Sequence, residues 1–327
     1  MNDNRLVVCV IANPVSGVNR TALEQIQAYM AAHPELDVTF RTTEASGDAK
    51  RFAQEAASTG VDIVAAYGGD GTMMEVADGL RGTDVPMLIL PGGTANVMAV
   101  ELGIALNLEQ SLALLTDPTR TVRIVDMGRV DSEPFLLRVG MGYEAEATAA
   151  TARSEKSKAG RVAYWKNALR KLRGLRPVKY KITIDGKLHV HSGITCLICN
   201  SSNIGIPGLK LVTETDVSDG LLDVIVIDSM QPGSVLRVLL NIVAGALPVK
   251  ASPKLIAHWQ GREITVETKY RQLVARDGEM MKRAKRVSAR IVPGALHVIV
   301  PAAAVPVTAP TEEFKDAGIA DTDTAAV

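Results

Sequence analysis

The chain has 327 residues and a formal net charge of zero, with 47% hydrophobic and 22% charged residues. This composition is that of a folded globular protein and excludes disorder of the whole chain. The zero net charge argues against a nucleic-acid partner, because general nucleic-acid binders carry an excess of Lys and Arg that neutralises phosphates. A length above about 300 residues favours two domains with separate cores.

The cysteines and the hydropathy pattern argue against a disulfide framework and a membrane span. The three cysteines, Cys9, Cys196 and Cys199, lie in apolar runs and are odd in number, which argues against a disulfide framework and favours a reducing cytoplasm. Cys196 and Cys199 have the spacing of a redox motif, but they lie within a strand pattern, so we expect buried structural cysteines. No apolar run approaches the roughly 20 residues of a membrane span, and any membrane contact is expected to be peripheral.

Short β-branched runs alternate with helical patterns over the first 125 residues. The strand patterns are LVVCVIA, VTFRTT, VDIVAAY and PMLIL, and each is followed by a helical pattern. Alternation of this kind predicts a parallel sheet with helices on its faces. We therefore predict an N-terminal α/β domain over residues 1–125.

Beyond that point the chain has many strand-like runs and few helical ones. Asp185-Gly186 lies between two alternating runs and is a strong hairpin signal. We predict a mainly antiparallel, sandwich-like β domain over residues 126–300. Residues 301–327 are rich in Ala, Pro, Thr and acidic residues, which predicts a flexible tail. Two helices are expected in the β domain, near residues 160–173 and 233–245.

Three loops of similar composition follow three of the predicted N-terminal strands. They are Asn13-Pro14-Val15-Ser16-Gly17, Gly68-Gly69-Asp70-Gly71-Thr72 and Pro91-Gly92-Gly93-Thr94-Ala95-Asn96. In a parallel sheet the ligand site lies beyond the carboxyl ends of the strands. Each loop combines glycines with a hydroxyl residue at a helix start, where N–H groups and the helix dipole suit a phosphate. The alternative is that these are only good turn and cap residues, but three such loops at one edge favour a phosphate site.

Asp70 is an unusual neighbour for a phosphate, because like charges repel. The loops contain no P-loop lysine and no GxGxxG pattern. The position of Asp70 is explained if its carboxylate holds Mg²⁺, or if it orients loop amides or a ribose. The residues alone leave these alternatives open.

The ordered set of motifs resembles a known family. NPVSG, GGDGT and PGGTAN, followed by DVSDGLLDV and ARDGE in the strand-rich half, look like the motifs of bacterial lipid kinases related to diacylglycerol kinase and sphingosine kinase. The resemblance covers the chain to about residue 300. It implies an α/β nucleotide-binding domain and a β-sandwich lipid-substrate domain, with ATP in the cleft between them. The implied nucleotide-contacting residues are Asn13, Pro14, Val15, Ser16, Gly17, Thr43, Gly69, Asp70, Gly71, Thr72, Met73, Met74, Glu75, Gly93, Thr94 and Asn96.

The resemblance also implies a structural Mg²⁺ site in the second half of the chain. Asp219 would hold the ion, with backbone oxygens near Asp216 and Leu221 and with Asp126 nearby through water. From the residues alone, Ser218-Asp219-Gly220 is equally explained as a turn before a strand.

The triplet Asp277-Gly278-Glu279 is the implied site of phosphoryl transfer. Glu279 would accept the proton of a lipid hydroxyl as it attacks the γ-phosphorus, and Asp277, with Asp70 across the cleft, would help to bind a catalytic Mg²⁺. Because Asp-Gly is also the usual hairpin dipeptide, a simple turn stays open. Many relatives place an acidic residue where this chain has Val97, which makes the role of the third loop less certain than that of Asp70.

Two basic groups are candidates for contact with other molecules. The segment GRVAYWKNALRKLRGLRP beginning at residue 160 has a Trp and several basic residues near helical spacing, which suits an anionic lipid surface. Its alternative is a helix packed on the β domain. The second group consists of Arg276, Lys282, Arg283, Lys285, Arg286 and Arg290. The sequence does not decide whether it is a solvated surface or an interaction surface.

The resemblance leads us to expect an ATP- and Mg²⁺-dependent lipid kinase that phosphorylates a lipid hydroxyl such as that of diacylglycerol. We expect it in the cytoplasm, peripherally associated with the inner membrane face. The residues leave open whether it forms a homodimer. One alternative is a kinase of a soluble substrate related to NAD kinase, which NPVSG and the late DGE triplet oppose. Another is a catalytically silent nucleotide- or lipid-binding regulator, for which Val97 is the only support.

Overall fold

The structure is a computed structural model that describes residues 5–16, 21–143, 145–146, 176–203, 212, 215–228 and 256–302. Several predictions fall on other residues and lie outside this description. They concern Gly17, the helices near residues 160–173 and 233–245, and nearly all of the tail. No helix among the described residues is long and apolar enough to cross a membrane.

The N-terminal unit is a parallel sheet with helices between its strands, as predicted. Strand β1 pairs in parallel with β2 and β3, and β3 pairs in parallel with β4, which gives the order β2-β1-β3-β4. The apolar runs form these strands because both faces of the sheet are covered. The strands are β1 Leu6–Ala12, β2 Leu36–Thr42, β3 Ile63–Gly68 and β4 Met87–Pro91; the helices are α1 Ala22–Ala32, α2 Asp48–Ser58, α3 Asp70–Leu80, α4 Val97–Glu101 and α5 Leu108–Ala113.

Small side chains fix the position of α3. Ala49, Ala53 and Ala56 recur at helical spacing on α2 and are buried. Gly79 of α3 lies against this stripe, and a Cβ atom there would be 2.5 Å from the carbonyl oxygen of Lys50. The close contact holds α3 beside α2, and with it Asp70 at the start of α3.

The second half of the chain is antiparallel, as predicted, and forms two packed sheets. One sheet has the order β12-β11-β10-β7-β14-β15, while β13, β8 and β9 extend the N-terminal sheet beyond β16. The inward side chains of both sheets form one core, which includes Val139, Ile182, Val224 and Val266. The strands are β5 Thr121–Val130, β6 Glu133–Phe135, β7 Arg138–Gly142, β8 Val178–Ile184, β9 Lys187–Gly193, β10 Thr195–Cys199, β11 Leu222–Ile227, β12 Ile256–Gly261, β13 Glu263–Gln272, β14 Val274–Arg276, β15 Glu279–Met280 and β16 Ala284–Val300.

The long strand β16 belongs to both units. Its first part pairs with β13 in the β sandwich, and Val298 near its end pairs in parallel with Met87 of β4. Leu296 and Val298 are buried in the core of the N-terminal unit. The sheet is therefore continuous across the boundary predicted at residues 125 and 126, and the chain returns to the N-terminal core after it completes the sandwich.

Two Asp-Gly pairs form tight hairpins. The φ angles are 47° and 84° at Asp185 and Gly186, and 45° and 84° at Asp277 and Gly278. Positive φ at both central residues is typical of the type I′ turn, which suits the twist of paired strands. The hairpin predicted at Asp185-Gly186 is confirmed. The three cysteines are all free and buried, as expected.

Candidate active site

The predicted loops meet at the carboxyl ends of β1, β3 and β4. Asn13 in the first loop donates from Nδ2 to Oγ1 of Thr72 in the second loop at 3.3 Å, and its Oδ1 accepts the N–H of Val15 at 3.1 Å. Thr43 follows β2 at the same edge, where its N–H donates to the carbonyl of Ala12 at 2.9 Å. Polar groups of separate segments therefore form one continuous edge.

The second and third loops touch through glycines. A Cβ atom at Gly93 would be 2.6 Å from the Cα atom of Gly69, so the third loop leaves no room for a side chain at Gly93, whereas a Cβ atom at Gly69 would lie 3.5 Å from the Gly93 Cα atom. Asn96 fixes the third loop with a left-handed φ of 47°, while its side chain accepts the N–H of Gly93 at 2.8 Å and donates to the Gly93 carbonyl at 2.9 Å. The backbone of both loops is therefore bare where they approach each other, as a phosphate cradle requires.

Asp70 joins these two loops. Its Oδ1 accepts the N–H of Val97, the first residue of α4, at 2.8 Å. Burial raises the pKa of this carboxyl, and hydrogen bonds from the Val97 and Met98 backbone together with the Arg138 guanidinium oppose the rise. Of the roles left open for Asp70, the orientation of loop amides is the one that the structure displays.

The other predicted nucleotide-contacting residues differ in what they present to a ligand. Glu75 of α3 accepts from Ser46 Oγ at 3.1 Å and from the Gly47 N–H at 2.9 Å, and so fixes the start of α2. The side chain of Met73 lies in the hydrophobic core, so only its backbone faces the edge. Three residues are exposed at the loop tips: Pro14, Val15 and Thr94.

A cleft separates this edge from the β sandwich and encloses a cavity of about 210 Å³. The hairpin of β14 and β15 forms the far wall, so the GGDGT and DGE motifs, more than 200 positions apart in the chain, face one space. The near wall includes Ser46, Gly47, Lys50, Gly71, Met74 and Glu75, and the far wall consists of Glu133, Pro134, Arg276, Asp277 and Glu279.

Asp277 is held by the main chain of the segment before β7. Its carboxylate accepts the N–H groups of Leu136, Leu137 and Arg138 at 2.6, 3.0 and 2.8 Å. Burial raises its pKa, and these three hydrogen bonds oppose the rise. Asp185, in the other hairpin, likewise accepts main-chain N–H groups of the residues that begin β13. The aspartates of both hairpins therefore cap a neighbouring strand, but of the two only Asp277 lies at the cleft.

Glu279 extends into the open part of the cleft, with a side chain that is 71% exposed. Its Oε2 lies 3.5 Å from Nη2 of Arg276, whose other terminal nitrogen lies 2.9 Å from Oε2 of Glu133. Arg276 therefore holds the Glu279 carboxylate at the rim without enclosing it.

Three cationic side chains at or near the site lie outside the three glycine-rich loops. Lys50 lies on α2, where its Nζ is 2.6 Å from buried Asp78, and Arg276 lies on a strand. Burial raises the pKa of both Asp70 and Asp277, and the Arg138 guanidinium partly opposes that rise; its Nη1 donates to the Asn203 carbonyl at 2.7 Å. Of the three, only Arg276 belongs to a basic group that the sequence marks; the fold alone brings Lys50 and Arg276 to the cleft and places Arg138 near both aspartates.

The residues of the implied structural Mg²⁺ site lie close together. Asp126 accepts the N–H groups of Gly220 and Gly294, each at 2.7 Å, and Asp216 forms an ion pair with Arg123. Asp219 accepts the Leu221 N–H at 2.9 Å through one oxygen. Burial raises the pKa of Asp219 to about 6, and the carboxylates of Asp223, Asp216 and Asp126 add to the rise.

A cation would relieve this crowding of negative charge, which fits the residues present. Among the described residues, no group of three His, Cys, Asp or Glu side chains has metal-binding geometry. Any ion at Asp219 must therefore rely on main-chain oxygens or water.

A parallel α/β sheet with glycine-rich loops at its carboxyl edge, facing a sandwich that presents carboxylates and cations, has the architecture of a phosphotransferase. The Diacylglycerol kinase catalytic domain family matches residues 7–130, and the YegS C-terminal NAD kinase beta sandwich-like domain family matches residues 138–300. The "Probable lipid kinase YegS-like" protein of Pseudomonas aeruginosa (strain PAO1) is 31% identical over 85% of this chain and 90% of its own. The chain belongs to the diacylglycerol kinase-like lipid kinase family.

Other relatives agree with this assignment. The "Diacylglycerol kinase" of Bacillus subtilis (strain 168) is 30% identical over 72% of this chain and 78% of its own. A crystal structure from Bacillus anthracis str. Sterne, named as a candidate diacylglycerol kinase, superposes with a TM-score of 0.75 at 27% identity and covers 92% of this chain and 97% of that one. The family that the motifs resemble is therefore confirmed.

Proposed function

We propose that this lipid kinase uses ATP and Mg²⁺ to phosphorylate the hydroxyl of a diacylglycerol-like lipid. The observation that carries the proposal is that Gly71 of the glycine-rich loop and Glu279 of the hairpin line the same cavity. A terminal phosphate at the loop and an acceptor hydroxyl beside Glu279 would share this space.

The near wall of the cleft is suited to the polyphosphate of a nucleotide. The first N–H groups of α3 have no acceptor within the helix, and the helix dipole favours an anion there. Lys50 and Arg276 present cations from opposite walls, each already paired with carboxylates of the cleft: Asp78 for Lys50, and Glu133 and Glu279 for Arg276. Asp70 holds the start of α4 against α3, so it sets the width of the cradle.

Glu279 is suited to act as a general base at the far wall. Its exposed carboxylate reaches the open side of the cleft, from which a lipid hydroxyl would enter. Arg276 limits the positions that this carboxylate samples. Acceptance of the hydroxyl proton makes the oxygen a better nucleophile toward the terminal phosphorus.

Asp70 and Asp277 are the candidates for binding a catalytic Mg²⁺. A carboxylate has about four lone-pair sites, so each retains acceptor capacity beyond its main-chain hydrogen bonds. Burial raises the pKa of both carboxyl groups, because it makes their negative charge unfavourable. A cation bound beside them would stabilise that charge. Bound Mg²⁺ would neutralise charge that develops on the transferred phosphate.

Transfer of labelled γ-phosphate tests the proposal. Purified protein is incubated with ATP, Mg²⁺ and mixed micelles that contain diacylglycerol, monoacylglycerol, ceramide, sphingosine or phosphatidylglycerol, with NAD as a soluble acceptor. We expect label in diacylglycerol and its loss when Mg²⁺ is chelated. Label in another lipid would keep the reaction class and change the acceptor.

Two results would contradict the proposal. Label only in NAD would make the protein a soluble-substrate kinase. ATP binding with no label in any acceptor would make it a silent nucleotide-binding regulator.

A further inference from the structure

Basic side chains are concentrated at one end of the large sheet, on its outward face and at the adjoining strand ends. Lys181 of β8, Glu267 of β13 and Arg286 of β16 form one cross-strand row there, and the end of β13 and the connection between β15 and β16 lie beyond it. We call this surface the cationic end; its basic residues are Lys179, Lys181, Lys269, Arg271, Lys282, Arg283, Lys285 and Arg286, and all are exposed.

The charge of the cationic end is almost uncompensated. Glu267 is the one acidic residue among these strand segments, and its Oε1 lies 3.9 Å from Nη1 of Arg286. The other seven basic residues form no ion pair with any described residue. At the opposite end of the same face, Arg290 is paired across strands with Glu263, and Asp131 and Asp185 lie close by. The excess is therefore local and does not follow from the neutral net charge of the chain.

Apolar side chains are exposed within and beside the cationic end. Tyr270 is 67% exposed between Lys269 and Arg271, and the Lys269 ammonium lies 5.3 Å from its ring centroid. Val190 and Leu188 on the edge strand β9 are 49% and 59% exposed on the same outward face. Their register places Val190 opposite Lys181, and Leu188 opposite Thr183. Exposed apolar and aromatic side chains among cations are the pattern of a surface that enters a lipid headgroup region.

The cationic end begins beside the proposed catalytic hairpin. Lys282 follows Glu279 by three residues, so their Cα atoms are at most about 11 Å apart. On the other side of the hairpin, β13 leads from Tyr270 through β14 to Asp277. A surface seated on the cationic end would thus lie at the rim of the cleft.

We propose that the cationic end is a docking surface for an anionic phospholipid bilayer, which would present the acceptor lipid to the cleft. The proposal rests on the lipid-kinase function proposed above and specifies how a substrate embedded in a membrane reaches Glu279. A nucleic acid also attracts cations, but exposed Leu188 and Val190 have no counterpart in phosphate recognition, whereas a bilayer accepts them.

Vesicle sedimentation tests the docking surface. The full chain is mixed with vesicles of phosphatidylcholine that contain 30% phosphatidylglycerol, and with vesicles of phosphatidylcholine alone. A basic residue beside an anionic bilayer contributes a factor of about five to the partition coefficient. The combined change Lys282→Ser, Arg283→Ser, Lys285→Ser and Arg286→Ser should therefore lower partition to the anionic vesicles by at least about 100-fold at low salt.

A matched variant removes the same charge from the opposite end of the face. It combines Arg129→Ser, Lys187→Ser, Arg262→Ser and Arg290→Ser, and it should retain partition within about 5-fold of wild type. Tyr270→Ser should weaken partition without altering its salt dependence. Equal loss in both four-residue variants, or normal partition in the first, would overturn the proposal, as would binding to duplex DNA in place of vesicles.

Kinase activity on a short-chain diacylglycerol dispersed in detergent separates this proposal from the proposed function. If the protein is a lipid kinase and the docking surface is correct, the first variant keeps activity in detergent and loses it on anionic vesicles. If vesicle binding depends on the cationic end but no lipid is phosphorylated under either condition, the docking surface stands and the kinase function fails. Equal activity of wild type and the first variant on vesicles would contradict docking alone.

Discussion

The carboxylate of Asp70 accepts the main-chain N–H of Val97 at 2.8 Å, and so joins the GGDGT loop to the first turn of α4. This hydrogen bond gives a structural reason for an acidic residue among the glycines of this loop. The carboxylate orients the third loop toward the second, and we propose that the same group also binds a cation.

Asp70→Asn should separate these two contributions. The amide is isosteric and can still accept the Val97 N–H, and burial raises the pKa of the native carboxyl, so loss of the charge should leave the free energy of unfolding unchanged or higher. Turnover should fall at least about 100-fold if the charge serves catalysis. Chemical denaturation and the kinase assay measure the two effects, and an active Asp70→Asn enzyme would reduce Asp70 to an orienting residue.

Two glycines of the loops should respond in opposite ways to alanine. Gly93→Ala places a Cβ atom 2.6 Å from the Gly69 Cα, and the overpacking should lower the free energy of unfolding by about 1–3 kcal/mol. At Gly71 no atom lies within 4 Å of the added carbon, so Gly71→Ala in α3 should stabilise the fold by about 0.5–1 kcal/mol.

Gly71→Ala should nevertheless weaken ATP binding, because its methyl group enters the space that a phosphate would occupy. Thermal unfolding and equilibrium ATP binding measure the two changes. A destabilised Gly71→Ala protein with normal ATP affinity would contradict the assignment of this space to the nucleotide.

The two Asp-Gly hairpins provide a matched comparison for Asp277. Asp277→Asn and Asp185→Asn both keep a residue that favours the type I′ turn, and both weaken main-chain capping. Only Asp277→Asn removes a carboxylate from the cleft. It should raise the Mg²⁺ concentration needed for half-maximal turnover, while Asp185→Asn should not. An equal Mg²⁺ requirement in the two variants would assign Asp277 a structural role.

The sequence motifs predicted which segments meet at the cleft but not how each carboxylate is held there. Asp185 and Asp277 occur in the same dipeptide, turn and capping arrangement, and only the packing of the sandwich against the α/β unit places Asp277 at the cleft. Local sequence carries no record of that packing, because the cleft brings together Gly71 and Asp277, which lie more than 200 positions apart.

The alternating strand and helix patterns predicted the N-terminal sheet well, since burial on both faces makes β1, β3 and β4 continuous apolar runs, whereas β2 at the edge is mostly exposed. The return of β16 beside β4 was not predicted. The sequence pattern of its apolar end predicts one more antiparallel strand of the sandwich. Val298 at that end pairs with Met87, which lies 211 residues earlier in the chain. Lys50 and Arg138 were missed for the same reason, and Arg276 was recognised only as a member of a basic group.

The stability of the metal-free protein should depend on pH through Asp219. Its pKa rises from 3.8 to about 6 on folding, so the folded protein holds this proton more tightly than the unfolded chain. The free energy of unfolding should therefore fall as pH rises from about 4 to 6, and Mg²⁺ should restore stability above pH 6.

Thermal unfolding with Mg²⁺ and with a chelator measures this effect at pH 5 and pH 7.5. Asp219→Asn should remove both the contribution of this group to the pH dependence and the Mg²⁺ response. A Mg²⁺ response that persists in Asp219→Asn would place the stabilising ion elsewhere.

The proposed role of Glu279 as general base is tested most directly by comparing Glu279→Gln with Glu133→Gln in transfer of labelled phosphate from ATP to diacylglycerol. Both glutamates contact Arg276 and line the cleft, so the second variant controls for loss of charge beside that residue. We expect both variants to bind ATP normally, Glu279→Gln to lose at least about 100-fold in turnover, and Glu133→Gln to stay within a few-fold of wild type. Near-normal turnover in Glu279→Gln would contradict the assignment of Glu279 as the base that activates the lipid hydroxyl.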